Sequence, residues 1–123
     1  MTDKELLELA AKAAGYEFTF SRRLATTYEW MLPDSMFIQW NPLEDDGQAL
    51  RLAVKLGLSI DTTENVMVDE RNGFGEYEKA TDVWFVDPKT AQTFSAMEVH
   101  EYDPYTPTRR AIVRASAEIG KTL

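Results

Sequence analysis

Residues 82–100 read DVWFVDPKTAQTFSAMEVH, and this stretch decides the expected architecture. Strand-forming residues occupy 82–86 and 93–100. Between them, DPKT at 87–90 has proline at the second position of a type I turn. The pattern predicts an antiparallel β-hairpin as the centre of the sheet.

Weaker strand signals lie on either side of this hairpin. Apolar or alternating runs at 16–20, 36–40, 58–61 and 66–69 predict four more strands. Residues 21–33 give no clear signal, Asn72-Gly73 marks a turn, and the apolar pattern at 76–79 is weak.

Three helices are predicted around these strands. Thr2 and Glu5 fit a capping box that opens a helix over 3–14, which Gly15 ends. A second helix runs from the acids at 44–46, which suit its positive end, to Gly57. Its predicted buried face is Ala49, Leu50, Ala53, Val54 and Leu56.

The closing helix runs from Pro107 to about Lys121 and buries Ala111, Ile112, Ala115 and Ile119. No repeat or linker interrupts the chain. We therefore predict one α+β domain spanning 1–123, with three helices packed on a small antiparallel sheet in the order α-β-β-α-β-β-β-β-α.

Composition narrows the class of protein. With 123 residues and a hydrophobic fraction of 44%, the chain is long enough for its own core. The absence of cysteine excludes disulfides, zinc-thiolate sites and cysteine nucleophiles, and it suits a reducing cytosol. Acids and lysines interrupt residues 2–14, so no export signal is predicted there, and we expect a cytoplasmic protein.

The net charge of −8 is unevenly distributed. Between residues 61 and 103, eleven acids stand against three bases, whereas the remaining acids and bases balance. An acidic surface repels phosphate backbones and anionic membranes. The predicted partners therefore include neither a membrane nor directly bound DNA.

The sequence YTPTRRAIVR at 105–114 carries the main candidate site. With Thr106 as N-cap and Pro107 as first helical residue, Arg109 and Arg110 face the positive end of the helix dipole. This turn would offer an anion or phosphate free amide groups, the hydroxyls of Thr106 and Thr108 and two guanidinium groups. Alternatively, the arginines are solvated or pair with the acidic sheet.

Two other pairs extend this candidate site. Trp40 and Asn41 could stack on a planar ring and hydrogen-bond its edge, although a Trp at a strand end is usually core and Asn-Pro is usually a turn. Arg22 and Arg23, flanked by aromatic residues, could bind a nucleotide or belong to a solvated loop.

The remaining signals do not favour catalysis. His100 is the only histidine, so neither a catalytic triad nor a multi-histidine metal site can be built around it, and a structural role is the simpler interpretation. The acidic clusters match no known metal-binding spacing, and no phosphate-loop or nucleophile motif occurs. We predict no cofactor and no metal, and favour a binding protein over an enzyme.

Three segments carry a family resemblance: ELLELAAKAAG at 5–15, WNPLEDDGQALRLAVKL at 40–56 and TRRAIVRA at 108–115. Their layout resembles short phage and prophage proteins of unknown function, and more distantly the NinX-like and phage α/β/α-sandwich families. The resemblance implies a phage-encoded accessory protein that counters a host defence system.

Two mechanisms would suit such a protein. One is sequestration of a small anionic nucleotide signal, for which a symmetric homo-oligomer is expected. The other is inhibition of a host defence protein, with the acidic sheet occupying a basic nucleic-acid groove. The candidate site at Thr106–Arg110 favours the first, whereas a metal-dependent nuclease would be recognised by turnover that a chelator abolishes.

Overall fold

Helices and antiparallel strands alternate along the chain in the computed structural model, which describes residues 1–16, 19–24, 27–31, 40–69 and 76–123. The elements are α1 (Asp3–Ala13), β1 (Thr19–Leu24), β2 (Thr27–Met31), α2 (Asp46–Leu56), β3 (Ser59–Asp69), β4 (Glu76–Val86), β5 (Thr93–Val99) and α3 (Tyr105–Gly120). The predicted α+β class is confirmed.

The central sheet consists of β3, β4 and β5 in that order, all antiparallel. The hairpin predicted around 87–90 is confirmed, since β4 pairs with β5 along the whole of β5. Asp87 organises its turn: the carboxylate accepts a hydrogen bond from the Lys89 amide at 2.8 Å, and the Asp87 amide donates to the Gln92 carbonyl at 2.9 Å.

The sheet has one strand fewer between α2 and α3 than the sequence predicts. The runs at 58–61 and 66–69 were expected as separate strands, but both contribute to β3. The register shifts between Asp61 and Glu64, and Asp61 accepts hydrogen bonds from the amide and hydroxyl of Thr63 at 2.8 and 2.6 Å. The polar residues between positions 61 and 64 therefore form a bulge within β3 and do not separate two strands.

The β1–β2 hairpin forms a second, two-stranded sheet. β1 overlaps the strand predicted at 16–20, and the hairpin covers most of the ambiguous region 21–33. Of the strand predicted at 36–40, residues 36–39 lie outside the described residues, and Trp40 is buried but belongs to no strand. The turn predicted at Asn72-Gly73 also lies outside them.

The cap of α1 at Thr2 and the end of α2 at Gly57 are as predicted, whereas α2 begins at Asp46 rather than at Glu44. Thr2 caps α1 by accepting a hydrogen bond from the Glu5 amide at 3.2 Å, and α1 ends one residue before its predicted end at 14. Asp45 caps α2 by accepting from the Gln48 amide at 2.8 Å. Gly57 ends α2 in the left-handed conformation, with φ at 68°, which glycine adopts without steric cost.

The predicted buried face of α2 is partly wrong. Ala49 and Ala53 are buried, but Leu50 is 58% exposed and Val54 73% exposed. Leu52, which the prediction omitted, is 1% exposed. Residues 49, 52, 53 and 56 share one helical face, and Leu50 and Val54 form a second apolar stripe beside it.

The core lies around α3, which packs on β4 and β5 and receives α1 and α2 on its other sides. Most of the buried side chains here are small, and they include Ala10, Ala11, Ala111, Val113, Ala115 and Ala117. Gly120 lies against the backbone of Leu9. Small residues thus permit close approach of α1 and α3. No helix in the described ranges is both long and apolar enough to cross a bilayer.

Candidate functional site

A cleft of about 520 Å³ lies between the first turns of α2 and α3, with β3 beside them. Its apolar wall consists of Ala49, Leu50, Ile60, Pro104, Tyr105 and Ile112. Its polar groups are Asp46, Thr62, His100, Thr108 and Arg109. The cleft thus brings together two of the predicted site residues, Thr108 and Arg109, with side chains from three other parts of the chain.

The first turn of α3 differs from its predicted form. The helix begins at Tyr105, so Thr106 is not the N-cap and Pro107 is the third helical residue. The carboxylate of Asp103 accepts hydrogen bonds from the amides of Tyr105 and Thr106 at 2.8 and 2.9 Å. An acid therefore satisfies two of the amide groups that were predicted to be free, and its charge suits this end of the dipole.

Arg109 lies in the cleft wall with its side chain 17% exposed. Its Nε donates to the Leu43 carbonyl at 2.8 Å, Nη1 donates to Asp46 at 2.6 Å, and Nη2 donates to the Thr106 hydroxyl at 3.1 Å. These three bonds hold the guanidinium group in one orientation. They also tie α3 to the start of α2.

Arg110 lies on a different side of α3 from Arg109, because consecutive helical residues are separated by about 100° around the axis. One of its terminal nitrogens lies 3.1 Å from Asp3 in α1, and its Nε lies 3.7 Å from Glu98 in β5. Arg114 also pairs with Glu98, at 2.7 Å. Both predicted arginines are therefore closed onto carboxylates, and only Arg109 lines the cleft between α2 and α3.

Trp40 and Asn41 make internal contacts before α2. Trp40 is 4% exposed and packs edge-on against Tyr16, with 5.8 Å between ring centroids. The Asn41 side-chain oxygen accepts a hydrogen bond from the Leu43 backbone amide at 3.1 Å. The Asn41 backbone amide donates to the Gln48 side-chain oxygen at 2.6 Å. Neither residue lines the cleft. Arg22 and Arg23 lie in β1, and their side chains fall outside the described part.

A chain of hydrogen bonds crosses from β4 to α3 beside the cleft. His100 Nε2 lies 2.8 Å from the Thr81 hydroxyl, which lies 2.6 Å from the Thr108 hydroxyl. Thr108 in turn donates to the Pro104 carbonyl at 2.6 Å. Thr81 is fully buried. The sequence carries no signal for these hydrogen bonds, because Thr81 is 19 residues from His100 and 27 residues from Thr108.

Several cleft residues were not predicted from sequence. Leu50 was expected in the core, Tyr105 and Ile60 carry no sequence signal for a ligand, and Asp46 was weighed only with Glu44 and Asp45 as a cation ligand. The one usable signal was the second apolar stripe of α2, of which Leu50 is a member. Within the described ranges, no three acidic or histidine side chains come close enough to hold a metal ion.

The chain was compared with protein-family models, curated proteins and solved structures, and no match was found in any of the three.

We expect the Asp103 cap to make stability depend on pH. The pKa of Asp103 lies below its ordinary value of 3.8, mainly because its carboxylate accepts a hydrogen bond from the Thr106 amide. Since the folded carboxyl has the lower pKa, its stabilising effect is complete above the unfolded value and is lost as the pH falls below it. Asparagine also caps helices but does not titrate. The Tm advantage of wild type over Asp103→Asn should therefore shrink in thermal melts below about pH 4.

An Asp103→Ala variant is the matched control, because it loses the cap at every pH and should melt below Asp103→Asn throughout. A difference between wild type and Asp103→Asn that stays constant from about pH 7 to about pH 3 would contradict this assignment.

Proposed function

We propose that this chain binds a small anionic nucleotide in the cleft between α2 and α3. In this proposal it is a cytoplasmic, phage-encoded accessory protein that counters a host defence system by sequestering such a signal. The observation that supports it is the guanidinium group of Arg109, held by three hydrogen bonds in the wall of the cleft.

The size and lining of the cleft suit this class of ligand. Small-molecule sites are concave, span roughly 300–1,000 Å³ and are mostly apolar with a few placed polar groups. The volume of about 520 Å³ lies within that range. Leu50, Ile60 and Tyr105 remain 58%, 37% and 66% exposed, so they offer apolar and aromatic surface to a planar ring.

The ion pair between Arg109 and Asp46 is the exchangeable contact. The Asp46 side chain is 73% exposed, whereas the Arg109 side chain is only 17% exposed. Exposed ion pairs contribute little, typically about 0–1 kcal/mol. A phosphate could therefore replace the carboxylate at Nη1 while the bonds to Leu43 and Thr106 keep the guanidinium in place.

Arg109→Gln is expected to weaken nucleotide binding about tenfold to a hundredfold, because charge-assisted hydrogen bonds contribute about 1.5–3 kcal/mol. Asp46→Asn should strengthen binding, since it removes the competing carboxylate. Binding can be measured as the thermal shift with a panel of nucleotide second messengers, followed by calorimetry on those that bind.

Arg51→Gln is the matched control, because Arg51 is an exposed arginine of α2 outside the cleft. It changes the net charge equally and should leave the affinity unchanged. Equal losses for Arg109→Gln and Arg51→Gln would point to general charge rather than to this site, and the proposal would fail.

The sheet surface supports a second candidate, an acidic inhibitor of a host defence protein. Alternate residues of a strand share a face. Asp61 stands opposite Asp82, and Glu64 and Glu78 lie on the same side, which carries no lysine or arginine at the described positions. Such a face is complementary to a basic nucleic-acid groove.

The two candidates differ in their dependence on salt and in their oligomeric state. An acidic inhibitor should bind its target less tightly as salt rises, and Glu78→Lys with Asp82→Lys should abolish binding. A sequestering protein is expected to be a symmetric homo-oligomer that still takes up nucleotide in that variant. Nucleotide uptake lost in the doubly reversed variant would instead connect ligand binding to the sheet face.

A further inference from the structure

His100 lies where β5 meets the connection to α3, and it is half-buried. His100 is among the residues that line the cleft with Thr108 and Arg109, and it also lines two neighbouring hollows beside the connection to α3. The proposed function assigns it no role, although it is the only histidine in the chain. The hydrogen bonds around it determine which ring nitrogen carries the proton.

The donor and acceptor of each bond follow from the Pro104 end of the series, because only there does one partner have a single possible role. A carbonyl oxygen can only accept, so the Thr108 hydroxyl donates to Pro104. Having used its proton, Thr108 accepts from the Thr81 hydroxyl. Thr81 has then used its proton as well, so it accepts from His100 Nε2. This is the assignment that satisfies all three bonds.

His100 is therefore protonated on Nε2, and in the neutral ring Nδ1 carries the lone pair. Nε2 points toward the fully buried Thr81, and the lone pair of Nδ1 points away from that hydroxyl because the two ring nitrogens face different directions. Among the described residues, no group donates a hydrogen bond to Nδ1. Nδ1 is thus an acceptor whose hydrogen bond is not made within the described part of the protein.

We infer that His100 determines the specificity of the cleft by accepting, at Nδ1, a hydrogen bond from an N–H group of the ligand. The class of ligand is then a nucleotide whose base presents an N–H donor at its edge, and the exocyclic amino group of adenine or cytosine is the donor tested below. In this arrangement Arg109 binds the anionic part and His100 recognises the edge of the base. This inference rests on the proposed function and specifies the chemistry of its ligand.

The tautomer can be measured without any ligand. Because the chain has one histidine, long-range ¹H–¹⁵N spectra at alkaline pH report its ring nitrogens without ambiguity. We expect a protonated Nε2 and an unprotonated Nδ1. In Thr108→Val the Thr81 hydroxyl is free to donate to Nε2, so the tautomer should change to Nδ1–H. A wild type already in the Nδ1–H form overturns the inference.

The ligand preference can be measured with nucleotides that differ by one amino group. We expect AMP to bind more tightly than purine riboside 5′-monophosphate, which lacks only that group, and CMP more tightly than its 4-deamino analogue. The difference should be about threefold to tenfold, the usual net effect of one neutral hydrogen bond. His100→Gln, whose amide can still donate to Thr81, should remove the difference and retain most of the thermal stability.

The outcomes separate the two proposals. If wild type binds neither these four nucleotides nor any member of the second-messenger panel, the proposed function is overturned, and the ligand preference with it. If it binds members of the panel but none of the four, only the role of His100 is overturned. If wild type binds both members of each pair equally, or His100→Gln keeps the preference, only the role of His100 is overturned.

Discussion

Replacing Gly120 by alanine is expected to lower the free energy of unfolding by about 3 kcal/mol, at the upper end of the range for overpacked sites. A Cβ at this position would overlap the carbonyl oxygen of Leu9 and lie 2.7 Å from its carbonyl carbon. These are backbone atoms, so a side-chain rotation cannot relieve the overlap, and α1 must move away from α3. Urea denaturation measures the loss as a lower midpoint at similar slope.

Gly47→Ala is the matched control for this substitution. Gly47 is also helical, but a Cβ there would meet only the Asp45 carboxylate, at 3.3 Å. A small change is expected, since alanine favours the helix and the contact is mild. If Gly120→Ala proved as stable as Gly47→Ala, the close approach of α1 and α3 would be wrong.

Leu52→Ala is expected to destabilise the protein by about 3 kcal/mol, within the range measured for buried leucines. Leu52 is 1% exposed and belongs to the core cluster between α2 and α3. The substitution removes buried apolar surface and leaves a cavity. Thermal and urea unfolding should both report the loss.

Leu50→Ala makes the sharper comparison, because the same chemical change occurs two residues away on the same helix. With 58% of its surface exposed, Leu50 should contribute less than about 0.5 kcal/mol to stability, as surface residues usually do. Under the proposed function, its effect should instead appear in nucleotide affinity, because Leu50 lines the cleft. A larger loss of stability for Leu50→Ala than for Leu52→Ala would indicate that Leu50 is buried, as the sequence predicted, and would contradict the structure.

Sequence signals with a single local cause predicted the structure well. The hydroxyl of Thr2, the left-handed Gly57 and the turn at Asp87 each act within a few residues of themselves. The predictions failed where two local solutions compete. Either apolar stripe of α2 could have been buried, and both Asp103-Pro104 and Thr106-Pro107 look like a helix start. Packing and hydrogen-bond geometry decide between them, and a sequence contains neither.

The candidate site was predictable only in part for a related reason. Thr108 and Arg109 were identified because their residue types suggest anion binding. Leu50, Ile60 and His100 come from three other segments, and no local pattern states that these segments meet. Arg110 was grouped with Arg109 by adjacency in sequence, but the helical turn directs it toward Asp3 and Glu98.

The packing of α1 against α3 has a consequence for how the chain folds during synthesis. These helices are the first and last of the elements described. Arg110 of α3 pairs with Asp3 of α1, and Lys12 of α1 donates a hydrogen bond to the Leu123 carbonyl just after α3. On the ribosome, α1 emerges long before the helix that covers it. Its apolar face, with Leu6 and Leu7, then stays uncovered until α3 is translated. Nascent chains stalled before residue 105 should therefore be sensitive to protease and bound by chaperones, whereas released chains should become resistant.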